Sequence, residues 1–323
     1  MMGTKGAVLT GATGPLGIAL AKYLAERGIQ VTAVVHPGSK RIVDIPVSDR
    51  IGIVECDLSE LASLETQLSQ DYETFFHLGW DATASRVERD NPCMHARNIL
   101  YTLDAVKLAH ILGCKTFIGA GSQSEFHRAE CIQSSEDFTF AEESYGIAKY
   151  AAGRLSLRLC GQYGMRHCWA RILSIYGPGE RETTGLMYCI YSLLKGQKPS
   201  FTKGEQIWDY LYSGDCARAF FLIAERGRHG TAYSLGSGRP RPLREYFECT
   251  RDCIDPALPL GIGEKEYPSG QVMRLCADTR TLMEDTGFVP EYSFEEGIRE
   301  TIEWVKNRDK MSNSNLRGAA NGS

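Results

Sequence analysis

Tyr145 and Lys149 stand four residues apart in the run Tyr145-Gly146-Ile147-Ala148-Lys149. On a helix that spacing puts a phenol and an ammonium on one face. A free phenol releases its proton near pH ~10. A neighbouring cation favours the phenolate, and a tenfold gain in its ionisation corresponds to about 1.4 kcal/mol. Such a tyrosine can give or take a hydroxyl proton while hydride moves to or from a redox cofactor. The Ser122 hydroxyl, just past an expected strand, can hydrogen-bond the same reacting oxygen. Spacing alone is a weak signal, because Tyr191 and Lys195 repeat it. Only the first pair opens the helix that follows the fifth expected strand. Tyr191 is read as packing or pocket wall.

The cofactor such chemistry needs has its own signal. Gly11-Ala12-Thr13-Gly14-Pro15-Leu16-Gly17 follows the first apolar run and opens the first helical pattern. Glycines allow a tight turn and close backbone approach to a pyrophosphate. The helix N-terminus offers free N–H groups and a positive dipole end. Sheets of this kind place an acid at the end of the second strand to hold the adenosine ribose. Here that place holds His36, followed by Pro37-Gly38-Ser39-Lys40-Arg41, with no carboxylate before Asp44. Ser39, Lys40 and Arg41 suit a 2′-phosphate, so NADP is the expected cofactor, with NAD open. Asp57, in Cys56-Asp57-Leu58, can reach an adenine amino group or cap the helix before Ser59.

The elements that must carry these groups are legible as strand–helix alternation. Apolar strand runs are expected at 7–10, 31–35, 51–55, 75–78, 116–118 and 170–173. Helical patterns lie at 16–27, from 59, from 91–92 to about 112, and at 145–163. Strands that are apolar throughout imply a parallel α/β sheet covered on both faces. Beyond Tyr176, glycine and proline punctuate the chain. The expected organisation is a dinucleotide-binding domain over 1–175, with return segments near 213–238. Residues 176–310 form mainly a substrate lobe, and 311–323 a disordered tail.

Composition narrows the classes. The 323 residues carry a net charge of -4, which leaves no broad footprint for nucleic acid. No stretch suits a signal segment or membrane span, so a cytoplasmic protein is expected. The 11 cysteines are an odd number without a C-x-x-C pair, and read as reduced, mostly buried thiols with no metal site.

Taken in order, the motifs are the glycine run at 11–17, Asp57-Leu58, His77-Leu78, Asn98, Ser122, Tyr145 with Lys149, and Arg171-x-x-x-x-Tyr176-Gly177-Pro178. A further stretch, Trp208-Asp209-Tyr210-Leu211-Tyr212-x-x-Asp215, follows. Over residues 5 to 308 the chain resembles the extended short-chain dehydrogenase/reductases, the NAD-dependent epimerase/dehydratase family. The resemblance implies a Rossmann-type doubly wound parallel sheet with a smaller C-terminal substrate lobe, and a nucleotide sugar between the lobes. It places Leu78, Gly79, Trp80 and Asn98 with the cofactor and gives Lys149 the nicotinamide ribose. Ser124, Trp208 and Arg274 fall to the substrate. A homodimer through the helices at about 92–112 and 145–163 is implied as well.

Departures from that pattern narrow the reaction. Relatives that eliminate water across C5–C6 carry an Asp–Glu pair directly after the hydroxyl residue. Here Gln123 and Ser124 stand there, neither titrates usefully, and Glu125 is one place too far. Trp208 replaces an arginine of the sugar-diphosphate clamp, Ser174 an asparagine, and Gly79-Trp80 a small pair. Asp81 is a pocket acid or, more commonly, a loop cap, and His127 follows the Ser122 loop. The leading expectation is reduction of a nucleotide-linked 4-keto-6-deoxyhexose. Alternatives are a nucleotide-sugar 4-epimerase, a reductase of a non-sugar carbonyl, and a dinucleotide-sensing regulator that would have no use for Ser122, Tyr145 and Lys149.

Overall fold

The computed structural model describes residues 6–68, 71–82, 85–126 and 141–320. Its first element, β1 (Gly6–Thr10), is buried at every residue. A strand covered on both faces has no reason to alternate apolar and polar side chains. Helix α1 (Pro15–Glu26) begins with Pro15 at its first position, where a missing N–H costs nothing. Then follow β2 (Val31–Val35), β3 (Ile51–Glu55) and β4 (Tyr72–His77). After these come the short α2 (Arg86–Arg89), α3 (Pro92–Ile111), β5 (Thr116–Ser122), α4 (Ser144–Gln162) and β6 (Arg166–Ile172). The helical pattern expected from Ser59 is a 3₁₀ stretch, Leu58–Thr66, capped by Asp57.

The second half contains β7 (Ser174–Tyr176), α5 (Gly185–Leu194), β8 (Ile207–Trp208), β9 (Tyr210–Tyr212), α6 (Ser213–Arg226) and β10 (Ala232–Leu235). It ends with β11 (Arg241–Pro242), α7 (Leu243–Ile254), β12 (Arg274–Leu275), α8 (Arg280–Thr286) and α9 (Phe294–Ala320). The main sheet has seven strands in the order β10-β6-β5-β4-β1-β2-β3. All six pairings in it are parallel. The strand order reverses between β1 and β4, and open parallel sheets bind ligands at such a switch point.

Two cores flank this sheet. On one side Leu16, Leu20 and Leu24 of α1 pack with Phe220, Ile223 and Ala224 of α6. On the other, Val106 and Ala109 of α3 pack with Cys160 of α4 and Met165. Leu282 and Phe288 belong to the first of these cores, so α8 also returns to the dinucleotide lobe. A third core joins Ile190 of α5, Tyr246 and Phe247 of α7, and Phe294 and Ile298 of α9. It is the body of the smaller lobe, which also carries the small sheet β11-β8-β12.

Helix α9 runs on past residue 311 as far as Ala320. Extending a formed helix adds one hydrogen bond per residue without a new nucleus, which offsets the weak propensity of its serines and asparagines. The described cysteines are free, and most are buried. Burial pushes thiols such as Cys114 up to about 12.

Candidate active site

The glycine run forms a close turn between β1 and α1. A Cβ on Gly17 would lie 2.3 Å from the Gly11 carbonyl oxygen, so only glycine lets α1 start this close to the turn. Of the residues expected at the cofactor, Gly11, Thr13, His36, Asp57, Leu58, Gly79 and Trp80 line one groove with Val34, Val35 and Tyr101. Its volume is about 240 Å³. Gly14, Pro15, Leu16 and Gly17 form the N-terminal edge of α1 beside it. A nicotinamide dinucleotide fits this donor set. Backbone N–H groups stand at a helix N-terminus, and a carboxylate stands at the far wall. Gly17→Ala is expected to weaken NADH binding by at least about tenfold, or 1.4 kcal/mol. Titration of NADH fluorescence measures it, with circular dichroism checking that the fold survives.

The loop after β2 does not behave as the sequence suggests. Ser39 caps its own 3₁₀ turn, accepting from the Arg41 amide at 3.4 Å. Lys40 is exposed and does not line the groove. Arg41 donates to the Gly179 carbonyl and lies 3.8 Å from Asp44, so its guanidinium is committed outside the groove lining. Asp57 caps the turn that follows it and also lines the groove. It accepts from the Ser59 amide at 2.9 Å and from the Ser59 hydroxyl at 2.6 Å. It also faces His36 at 3.3 Å. The Ser59 hydrogen bonds hold its carboxyl below the usual range, so it is ionised at neutral pH.

The turn after β4 is held by buried polar groups. Thr10 Oγ1 accepts from the Gly79 amide at 3.1 Å and bonds His77 Nδ1 at 2.9 Å. Burial pushes His77 down to about 3, so its ring stays neutral. Leu78 packs against the core. Asn98, expected at the cofactor, spends its amide on backbone instead. Its Oδ1 accepts from the Asp81 amide at 2.8 Å, and its Nδ2 donates to the Asp81 and Met94 carbonyls. It therefore fixes the loop that carries Trp80. Asp81 lines the groove, and its Oδ1 accepts from the Ala82 amide at 2.8 Å.

Ser122, at the end of β5, stands beside the Tyr145 phenol and favours its ionised form. The helix carrying Tyr145 can press against the Ser122 turn because residue 146 is glycine. A Cβ there would lie 1.8 Å from the Ser124 carbonyl oxygen. Burial raises the Tyr145 phenol, opposed by the Arg89 charge and by the neighbouring Ser122. Lys149 is buried, donates to the Ala120 carbonyl at 2.7 Å, and sits 3.8 Å from the centroid of the Trp80 ring. Desolvation pushes its ammonium down to about 7. In the second match to the spacing, Tyr191 lies in the third core as packing, while Lys195 is exposed with its ammonium 5.6 Å from the Tyr191 ring centroid.

Glu125 is the residue that sequence reasoning undervalued. It is fully buried and is not part of the groove lining. Its Oε1 accepts from the Ser122 amide and from Trp169 Nε1, both at 2.9 Å, and its Oε2 accepts from Arg171 Nε at 2.9 Å. Ser122 Oγ in turn accepts from the Ser124 amide at 3.1 Å, completing a capping box. The signal was present as Ser-x-x-Glu, a hydroxyl and an acid three residues apart.

On the substrate side, two departures from the family pattern meet each other. Trp208 Nε1 donates to Ser174 Oγ at 2.9 Å. Trp208 also packs beside Phe126, Leu173 and Leu275, which ties the small sheet to the turn after Ser122. Arg274 stands exposed on β12, paired with Ile207 of β8, the strand of Trp208. Ser124 Oγ accepts from Arg89 Nη2 at 3.3 Å. His127 lies outside the described residues.

Known proteins match this arrangement along its length. The family model for the NAD dependent epimerase/dehydratase family matches residues 7–236. The dTDP-glucose 4,6-dehydratase of Salmonella typhimurium is 21% identical over 346 residues, covering 97% of this chain and 96% of that protein. Among solved structures, the UDP-N-acetylglucosamine 4-epimerase of Methanobrevibacter ruminantium, in complex with UDP-N-acetylmuramic acid, superposes with a TM-score of 0.85. It is 23% identical and covers 95% of this chain and 100% of that one. The Bordetella bronchiseptica enzyme WbmF in complex with NADH gives a TM-score of 0.81 at 21% identity, over 98% and 96% of the two chains. The family match runs from β1 to β10 and takes in the groove, Ser122, Tyr145 and Lys149 alike: this chain belongs to the NAD-dependent epimerase/dehydratase family.

Proposed function

We propose that the protein is an NAD-dependent 4-epimerase of a nucleoside-diphosphate sugar, moving hydride at C4 without eliminating water. The observation that carries this reading is the placement of Ser122, at the end of β5, beside the Tyr145 phenol and near the buried Lys149, whose ammonium lies 3.8 Å from the ring of Trp80 in the groove lining. Bound NAD supplies the hydride acceptor and donor. Tyr145 takes the proton of the C4 hydroxyl as the sugar is oxidised and returns it when the 4-keto group is reduced on its other face. Ser122 holds the same oxygen. Residues 11–17 would hold the pyrophosphate, Asp57 the adenosine end, and Lys149 the nicotinamide ribose.

Water elimination needs a free acid and base next to Ser122. Gln123 and Ser124 cannot titrate there, and the Glu125 carboxylate is spent on Ser122, Trp169 and Arg171. The commitment of Arg41 to Gly179 and Asp44, with an ionised Asp57 in the groove wall, favours NAD over the NADP expected from the basic loop. Neighbours of similar fold are described as a UDP-sugar 4-epimerase and as a complex with NADH, which supports the same choice. The reading also expects two copies to pair through α3 and α4, which leave Leu100, Ile147, Tyr150 and Leu155 exposed.

The test is direct. UDP-linked hexoses are incubated with the purified protein and NAD, and products are resolved by chromatography while absorbance at 340 nm is followed. Interconversion of C4 epimers with no net NADH change is the expected result. Net consumption of NADH or NADPH on a 4-keto-6-deoxy sugar would make it a reductase instead. Release of a 4-keto-6-deoxy product from a UDP-hexose would sink the non-eliminating reading.

A further inference from the structure

The sequence hands Lys149 the task of stabilising the Tyr145 phenolate, but in the structure that ammonium is engaged elsewhere. It bonds the Ala120 carbonyl and lies 3.8 Å from the Trp80 ring centroid, against 5.9 Å from that of Tyr145. The cation on the Tyr145 ring is Arg89, the last residue of α2. Its Cζ lies 4.6 Å from the ring centroid.

Arg89 is held in place from two sides. Its Nη2 donates to Ser124 Oγ at 3.3 Å, in the turn that opens with Ser122. Its carbonyl accepts from His95 Nε2 at 3.0 Å. A carbonyl only accepts, so the His95 proton sits on Nε2. His95 Nδ1 is then free to accept from Trp80 Nε1 at 3.3 Å. The His95 and Trp80 rings both meet Tyr145 edge-on, with centroids 5.5 and 6.0 Å away. Burial pushes His95 down, so at neutral pH it adds no charge. Among the described residues no carboxylate pairs with Arg89, and a guanidinium cannot discharge as a buried lysine does.

Among the described residues, the charged groups that act on the phenol can be named. Arg89 on α2 and Arg181 after β7 favour its ionised form, in that order, and Glu125 opposes it. Lys149 on α4 lies at the ring distance given above.

We propose that Arg89 is the positioning cation of the catalytic tyrosine: its guanidinium, anchored by Ser124 and His95, fixes the phenol toward Ser122 and stabilises the negative charge that develops on its oxygen. This rests on the hydride-transfer reading above and adds the residue that tunes its acid–base group. A cation over an aromatic face gains strength as water is withdrawn from it, and Arg89 and Tyr145 are both half-buried.

The experiment is a pH profile of sugar oxidation for wild type, Arg89→Gln and Arg89→Lys. Arg89→Gln is expected to lower kcat about tenfold near pH 7, with the loss regained as its rising limb moves up by about one pH unit. Arg89→Lys, which keeps the charge, is expected to hold most of the activity and the wild-type limb. A loss of equal size at every pH, or one confined to KM, would overturn the proposal and leave Arg89 a packing or substrate-capture residue. If the wild type turns over no nucleotide sugar, the functional reading fails but this inference is still testable. The ¹³Cζ resonance of Tyr145 in the NAD-bound protein, assigned with Tyr145→Phe, is then titrated. A resonance whose titration Arg89→Gln leaves unmoved rejects the role.

Discussion

Tyr145→Phe is expected to lower kcat by about 10³-fold while leaving NADH affinity within about twofold of wild type, a span within the usual contribution of a positioned acid–base group. The substitution removes one oxygen, keeps the ring against Trp80, His95 and Arg89, and leaves the groove lining untouched. The Ser122 amide keeps its bond to Glu125. Steady-state kinetics with a UDP-hexose give the first quantity, and fluorescence titration with NADH gives the second. A mutant that keeps full turnover would mean the proton passes through another group. One that loses dinucleotide binding as well would show that the phenol builds the cofactor site.

Glu125→Gln is expected to cost about 3–5 kcal/mol of stability, the range seen when one partner of a buried ion pair is removed. The carboxylate has no exposure and Arg171 only 5%. Without the carboxylate, the Arg171 cation is left in low dielectric, and its Nη1 already lacks a hydrogen-bond partner among the described residues. A glutamine can still accept from the Ser122 amide and Trp169, so the change isolates the charge. Urea unfolding followed by circular dichroism measures the loss. Adding Arg171→Met should restore a large part of it, because the stranded cation is then gone. If Glu125→Gln is as stable as wild type, the pair is not the anchor of this turn. Activity is expected to fall as well, since the same carboxylate fixes the backbone of Ser122.

The two substitutions separate the chemistry of the site from its support. On the proposed function, Tyr145 would act on the reacting oxygen and Glu125 through Ser122. Relatives that eliminate water place acids beside the hydroxyl residue. Here the one acid on that turn is drawn inward by Trp169 and Arg171, residues of β6 some forty positions downstream. A sequence reader sees Glu125 one place too far along and cannot see what pulls it in. The Ser-x-x-Glu spacing was the available clue.

What the residues determined without help from the fold were the features governed by local rules. The glycines at 11–17, Pro15 at a helix start, and a phenol and ammonium one helical turn apart need only short-range geometry. The apolar strand runs announced a parallel sheet because burial on both faces removes alternation. Only the tertiary structure decided which partners the long polar side chains would choose. Arg41 turned to Gly179 and Asp44 rather than to the groove, Lys149 settled under Trp80, Asn98 spent its amide on a loop, and Arg89 came to rest on Tyr145. The physical reason is common to all four. A side chain with several rotatable bonds takes its place from whichever acceptor or ring the packing of distant segments brings within reach, and nothing in its own neighbourhood along the chain records that choice.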